Sequence, residues 1–245
     1  MKIGIISGAS SGIGRAIAKN LKASDLDELW LIGRNGDKLN SLINELNCNT
    51  RCFQLDLTDG DSITILNDAI VSTGAEVKYL ILSAGVGFTG TVESNTQNQI
   101  SQMVDLNCKS LSLLINAVLP HMIRGGEIIT IASGAGFLPQ ADFAVYAATK
   151  AYVISLSRAL RKELKPKKIN VCTVCPGPVD TDFFSGLDNV KDYKRKYLIS
   201  PNRVAIGAIK ASKRGKAIFT PTFSMKLLRI CTKLLPTSFI QKMSK

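Results

Sequence analysis

Tyr146 and Lys150 stand four residues apart in Val145-Tyr-Ala-Ala-Thr-Lys150. In a helix that spacing puts a phenol and an ammonium on one face, about one turn from each other. A tyrosine with an ordinary pKa of about 10 is a poor proton carrier near neutrality, and an adjacent ammonium favours its phenolate. The pair gains meaning from Ser133, which follows the apolar run Ile128-Ile-Thr-Ile-Ala132. A residue there lies at the carboxyl end of a strand, where α/β sheets present their ligands, and its hydroxyl can hold a substrate oxygen. Pro176-Gly-Pro-Val-Asp-Thr181 follows a second such run and opens on the same side.

The amino-terminal run leads into Ser7-Gly8-Ala9-Ser10-Ser11-Gly12-Ile13-Gly14, ahead of a helical segment. Glycines at a strand-to-helix turn permit tight backbone geometry and close approach of a diphosphate. The helix start adds free N–H groups and the positive end of its dipole. A nucleotide cofactor is the direct inference, although the Gly-x-x-x-Gly-x-Gly spacing differs from the commoner Gly-x-Gly-x-x-Gly fingerprint. The end of the next strand reads Ile32-Gly33-Arg34. An acidic residue there would bind a ribose 2′-hydroxyl, whereas an arginine accommodates a 2′-phosphate, so NADP(H) is expected over NAD(H).

The elements that must position these residues follow a regular alternation. Strands are expected over 2–6, 29–32, 50–55, 78–82, 127–132, 169–174 and 216–219. Helical segments are expected near 13–23, 37–46, 60–73, 97–123, 143–164 and 201–212. This is the pattern of an α/β protein with a doubly wound, Rossmann-type parallel sheet of about seven strands. No repeat or low-complexity linker divides it, so residues 1–222 read as one domain. Residues 223–245 read as an amphipathic carboxy-terminal extension, with apolar residues at helical spacing and Lys226, Arg229 and Lys233 on another side.

Composition narrows the classes further. A chain of 245 residues, 45% hydrophobic and 20% charged, buries an ample core without metal or disulfide staples. The six cysteines are scattered, and the Cys172/Cys175 pair falls within a β-branched run whose residues three apart face opposite ways. His121 is the single histidine, read as a surface residue at a helix end, so neither a multi-histidine metal site nor a Ser-His-Asp hydrolase is indicated. The first strand starts too early for a cleaved leader, and no run approaches the ~20 apolar residues of a membrane span. A cytoplasmic protein, at most peripheral to a membrane, is the expectation. The net charge of +12 resides in residues 186–245, which carry 14 basic and 2 acidic side chains, while residues 1–185 balance. No nucleic-acid reading motif accompanies that charge, and no nucleic-acid partner is expected.

With these residues in place, residues 2–221 resemble the short-chain dehydrogenase/reductase family. Ser7–Gly14 is similar to its Thr-Gly-x-x-x-Gly-x-Gly turn. Asn107, Ser133, Tyr146 and Lys150 match its four catalytic positions in order and type. The resemblance implies a cofactor held by Gly8, Ser10, Ser11, Gly12, Ile13 and Gly14, with Arg34 at the ribose and Asp56 and Leu57 at the adenine. It places Ala84 and Gly85 along the middle of the cofactor, with Tyr146 and Lys150 beside the nicotinamide end. Pro176, Gly177, Val179 and Thr181 flank the nicotinamide. One departure is Leu82-Ser83 where the family has Asn-Asn, which bears on local support of the sheet and cofactor pocket more than on chemistry.

The implied reaction is hydride transfer between nicotinamide and a carbonyl or alcohol carbon. Tyr146 would act as general acid or base, Ser133 would hold the substrate oxygen, Lys150 would tune Tyr146 and bind the ribose, and Asn107 would anchor a proton relay. The expected substrate is a small-molecule ketone or aldehyde, lipophilic because the implied lid at about 182–200 contains Phe183, Phe184, Leu187, Tyr193, Tyr197 and Leu198. Lys191, Lys194, Arg195 and Lys196 in the same stretch leave a 3-oxoacyl-carrier-protein reductase as the alternative. A non-catalytic nucleotide-sensing or membrane-surface protein of the same fold is the second alternative. The family implies a homodimer or homotetramer. The terminal helix is expected to pack on the domain or on a second subunit, with contact to an anionic membrane surface as the alternative.

Overall fold

A computed structural model describes residues 1–21, 25–185 and 198–234. Seven strands form one parallel sheet in the order β3-β2-β1-β4-β5-β6-β7. They are β1 Lys2–Ser7, β2 Glu28–Gly33, β3 Thr50–Gln54, β4 Glu76–Leu82, β5 Met122–Ile131, β6 Asn170–Val174 and β7 Ile218–Phe219. The strands are nearly continuous apolar runs because helices cover both faces. Successive side chains alternate between two cores. Ile3, Ile5, Leu80 and Ile128 join helices α3 (Gly60–Thr73), α5 (Leu111–Val118) and α6 (Ala144–Glu163). Ile6, Leu31, Ile81 and Ile129 face α1 (Gly12–Asn20), α2 (Gly36–Ile43) and α8 (Pro201–Lys213). Strand order reverses at β1, so the crevice at the carboxyl ends of β1 and β4 is the place where such a sheet takes a ligand.

Two expected boundaries move. The single helix expected over 97–123 is four pieces: α4 Gln97–Val104, a π-helical turn Asp105–Ser110, α5, and a 3₁₀ turn Leu119–His121. Pro120 cannot donate to a continuing helix, and β5 then begins at Met122, five residues before its expected start. The added residues pair where the sheet shifts register, Val77 with Met122 and then Tyr79 with Glu127. Gly125 supplies the left-handed backbone at this irregularity, with φ +78°. The half-buried His121 therefore sits at a helix-to-strand junction.

The short helix α7 (Asp182–Ser185) opens the expected lid, most of which, including Leu187, Tyr193, Tyr197 and the four basic residues named with them, lies outside the described residues. Helix α9 (Phe223–Leu234) follows β7 closely. Among the described residues no helix is long and apolar enough to cross a membrane.

Candidate active site

Ser133 leaves the end of β5 and caps a 3₁₀ turn, Gly134–Phe137, by accepting a hydrogen bond from Ala135 N at 3.1 Å. Gly136 lets this turn press onto α6, since a β-carbon there would stand 2.7 Å from the Lys150 carbonyl carbon. Ser133 is thereby brought beside Tyr146, close enough for its hydroxyl to act on the phenol. Lys150 is 6% exposed; its Nζ donates to the carbonyl of Ile131 at 3.1 Å and lies 5.6 Å from the centre of the Tyr146 ring. Serine, tyrosine and lysine thus converge where β5 meets α6.

Burial sets the protonation of this group. It pushes the Tyr146 phenol well above its ordinary value, with the neighbouring Ser133 opposing only in part, so Tyr146 is a neutral O–H donor at physiological pH. The sequence leads one to expect a phenol lowered by its ammonium neighbour. Loss of water dominates instead, and the opposing influence comes from Ser133. The same burial lowers Lys150 to about 8, against weaker opposing influences from Cys108 and Cys175.

Asn107 occupies the π-helical turn and is fully buried. Its Oδ1 accepts from Val86 N at 2.9 Å; its Nδ2 donates to Val86 O at 2.8 Å and to Thr149 Oγ1 at 3.0 Å. Thr149 in turn donates to the carbonyl of Tyr146 at 2.8 Å. Asn107 therefore ties the loop after β4 to the helix that carries Tyr146 and Lys150. The extra residue of a π turn aims a side chain inward where a regular helix would carry it past. Gly85 faces this cluster, 3.0 Å from Asn107 Oδ1 and 3.2 Å from Lys150 Nζ at the point where a β-carbon would sit.

The residues expected at the cofactor line the crevice beside β1. Gly8 has φ +67° and Gly12 φ +54°, and a side chain on Gly14 would collide with the Gly8 carbonyl. Ser11 precedes α1 without a side-chain cap bond, and the first turn of that helix carries no acidic residue, so its N–H groups face the crevice without a carboxylate competitor. Ile13 packs into the core below. Thr181 approaches Gly12, its Cγ2 3.2 Å from an added β-carbon, which brings the segment after β6 over the glycine turn.

That segment is held in place by backbone bonds. Gly134 N donates to Pro176 O at 2.8 Å, and Val179 bridges in parallel to Ile199. Leu57 and Ala84 line the same sheet edge, where Ser110 Oγ donates to Leu57 O at 2.6 Å. Ser10 lies against Gly33. Arg34 is exposed just past β2, its guanidinium 3.8 Å from the Asp56 carboxylate, at the far end of the crevice from Tyr146. Burial raises Asp56, but two hydrogen bonds from Thr58 and the Arg34 charge prevail and hold it below the usual carboxylate range. A glycine cradle, open helix N–H groups and an exposed cation together fit a dinucleotide.

Sequence reasoning missed three parts of the site. Phe143, not singled out from the sequence, stacks on Tyr146 at 4.3 Å between ring centres, while Phe183, expected in the lid, tilts over the same ring at 5.5 Å, and the two form an apolar wall with Val86, Phe88 and Val145. Thr149 carries no signal beyond lying between the two reactive residues. Met225, from α9, touches Gly134 and Gly177, and its Cγ would stand 3.4 Å from a β-carbon on the latter. Nothing in the periodicity of the tail links it to residue 134.

Comparison with known proteins agrees with this fold. The family model described as short chain dehydrogenase matches residues 2–191. An uncharacterized oxidoreductase of Staphylococcus epidermidis is 33% identical over 189 residues, spanning 76% of this chain and 82% of that protein. Among solved structures, a short-chain dehydrogenase from Sphingobium yanoikuyae in complex with NADPH is 27% identical with a TM-score of 0.80, covering 91% of this chain and 89% of its own. A short-chain dehydrogenase/reductase from Burkholderia phymatum in complex with NAD shares the fold at 21% identity, with a TM-score of 0.82 and coverage of 95% and 93%. Sheet order, glycine turn and sequence similarity converge, and the chain belongs to the short-chain dehydrogenase/reductase family of oxidoreductases.

Proposed function

We propose that the protein is an NADP(H)-dependent reductase that converts a lipophilic ketone or aldehyde to the alcohol. The observation that carries this reading is the buried Tyr146 phenol, beside Ser133, one helical turn from Lys150 and walled by Phe143 and Phe183. NADPH, when bound, supplies the hydride. Ser133 donates a hydrogen bond to the carbonyl oxygen and stabilises the charge that grows there. Tyr146 passes its phenolic proton to that oxygen as general acid. The Lys150 ammonium stabilises the phenolate left behind, and Asn107 fixes the distance between the loop after β4 and α6. The aromatic wall takes an apolar substrate body and excludes water. We assign residues 1–222 to the catalytic body and 223–245 to an extension, with homodimerisation through the outer faces of α4 to α6.

Preference for NADP(H) rests on Arg34 and on the lack of a carboxylate at Gly33 and Arg34. It is supported by the NADPH complex of the Sphingobium relative. The test is binding of NADPH and NADH, by fluorescence or calorimetry, to the wild type and to Arg34→Ala. Loss of one charge-assisted contact should weaken NADPH by roughly 10- to 100-fold and leave NADH nearly unchanged. NADH bound as tightly as NADPH by the wild type would overturn the preference and direct the substrate search to alcohols.

A further inference from the structure

Helix α9 carries apolar residues on two sides, and among the described residues only one side meets the protein. Met225 turns inward onto Gly134 and Gly177, beside Ser133, and Arg229 lies close enough to Cys175 at the end of β6 to act on it electrostatically. The other side is a stripe of Phe223, Leu227, Ile230 and Leu234, spaced by four, three and four residues and therefore in one line along the helix. These side chains are 78%, 51%, 45% and 77% exposed. The exposed lysines Lys226 and Lys233 run along one edge of that line. The segment is basic in sequence: the chain carries thirteen Lys and Arg and no Asp or Glu after Asp192.

We propose that α9 docks the protein on an anionic lipid surface, with Phe223, Leu227, Ile230 and Leu234 in the headgroup–acyl boundary and Lys226 and Lys233 at the phosphates. An apolar stripe edged by lysines on an otherwise acid-free segment is complementary to a negatively charged bilayer. A second copy of the chain is a poor occupant on two grounds. Twelve residues make a helix about 18 Å long, whose stripe covers on the order of 200 Å² per copy, against the roughly 800 Å² per partner of a stable interface. A paired copy would also set lysines against lysines. A helix is about 10 Å thick, so with Met225 on its inner side the Ser133 turn would stand about one helix diameter from the lipid.

The experiment is flotation of the full chain, with NADPH present, on phosphatidylserine-containing vesicles and on pure phosphatidylcholine vesicles, at low and high salt. The protein is expected to float with the anionic vesicles and to be released by salt or by removal of phosphatidylserine. Leu227→Asp with Ile230→Asp, both on exposed positions, should lower partitioning roughly tenfold or more, with NADPH binding unchanged. A wild type that stays at the bottom with anionic vesicles overturns the proposal, as does a double variant that floats equally well. Sedimentation of the same pair covers the remaining occupant: a wild-type assembly that the double variant breaks, without flotation, assigns the stripe to a second copy. NADPH binding is read separately, so failure of lipid docking is distinct from failure of the reductase reading.

Discussion

Lys150 carries an internal conflict at the scale of one residue. Burial disfavours its charge and brings it to about 8 from a starting value of 10.5, while the role proposed for it beside Tyr146 needs that charge. The proposed reduction requires the ammonium to stabilise the phenolate, so the rate with saturating NADPH should be level below about pH 8 and fall above it. Arginine stays charged throughout this range, so Lys150→Arg should lower the plateau and abolish the fall; a wild-type profile level to pH 10 would refute the assignment. The same shift has a stability consequence. The folded state binds fewer protons than the unfolded state between about 8 and 10.5, so this residue's contribution to stability improves as pH rises through that window and its penalty is complete below it. Lys150→Met removes this penalty at pH 7 but leaves the Ile131 carbonyl unpaired, so it should be neutral to modestly stabilising in urea unfolding, together with loss of reduction. The four-residue spacing of Tyr146 and Lys150 was legible from the sequence. The depth of their burial was not, because it depends on Gly136 admitting the Ser133 turn against α6, a contact between segments brought together only by the fold.

Single elements show how the chain copes with its departure from the family pattern at Leu82-Ser83. Leu82 is core, and the support falls to Ser7: its hydroxyl accepts from Ser83 N at 3.2 Å and Ala84 N at 3.3 Å and donates to Ile81 O at 3.4 Å, joining the ends of β1 and β4. Ser7→Ala should therefore cost about 1–3 kcal/mol in denaturant unfolding and weaken NADPH several-fold, because two N–H groups next to the cofactor crevice lose their acceptor. An unchanged midpoint would show that solvent satisfies them. The strand and helix order was readable because buried parallel strands and crossover helices have distinct apolar patterns. The break of the 97–123 segment at Asp105–Ser110 was not, since the run stays apolar at near-helical spacing and the π turn is stabilised by tertiary contacts: Asn107 reaching Val86 and Thr149, and Ser110 reaching Leu57. Pro120 was a visible stop signal whose weight the unbroken periodicity concealed.

For the whole molecule, charge asymmetry and the absence of linkers defined one domain with a basic end, but which outer faces lack partners emerges only from the packing. Val104, Leu113 and Tyr152 are exposed although apolar, and they lie on α4, α5 and α6, the helices proposed to join two copies. Ser112 Oγ and Tyr152 OH, 2.8 Å apart, fix α5 and α6 against each other across this face, so it is presented as one preformed surface. Burying this face against its own symmetry mate is the economical use of it. Wild-type protein should sediment as a dimer or a higher even-numbered assembly. Leu113→Glu combined with Tyr152→Glu should yield monomers, since four carboxylates would otherwise be buried around the two-fold axis. The far-ultraviolet spectrum should be retained, because both side chains are already exposed. Leu227→Asp with Ile230→Asp should leave the assembly intact. A monomeric wild type, or a dimer indifferent to the Leu113 and Tyr152 charges, would move self-association away from α5 and α6.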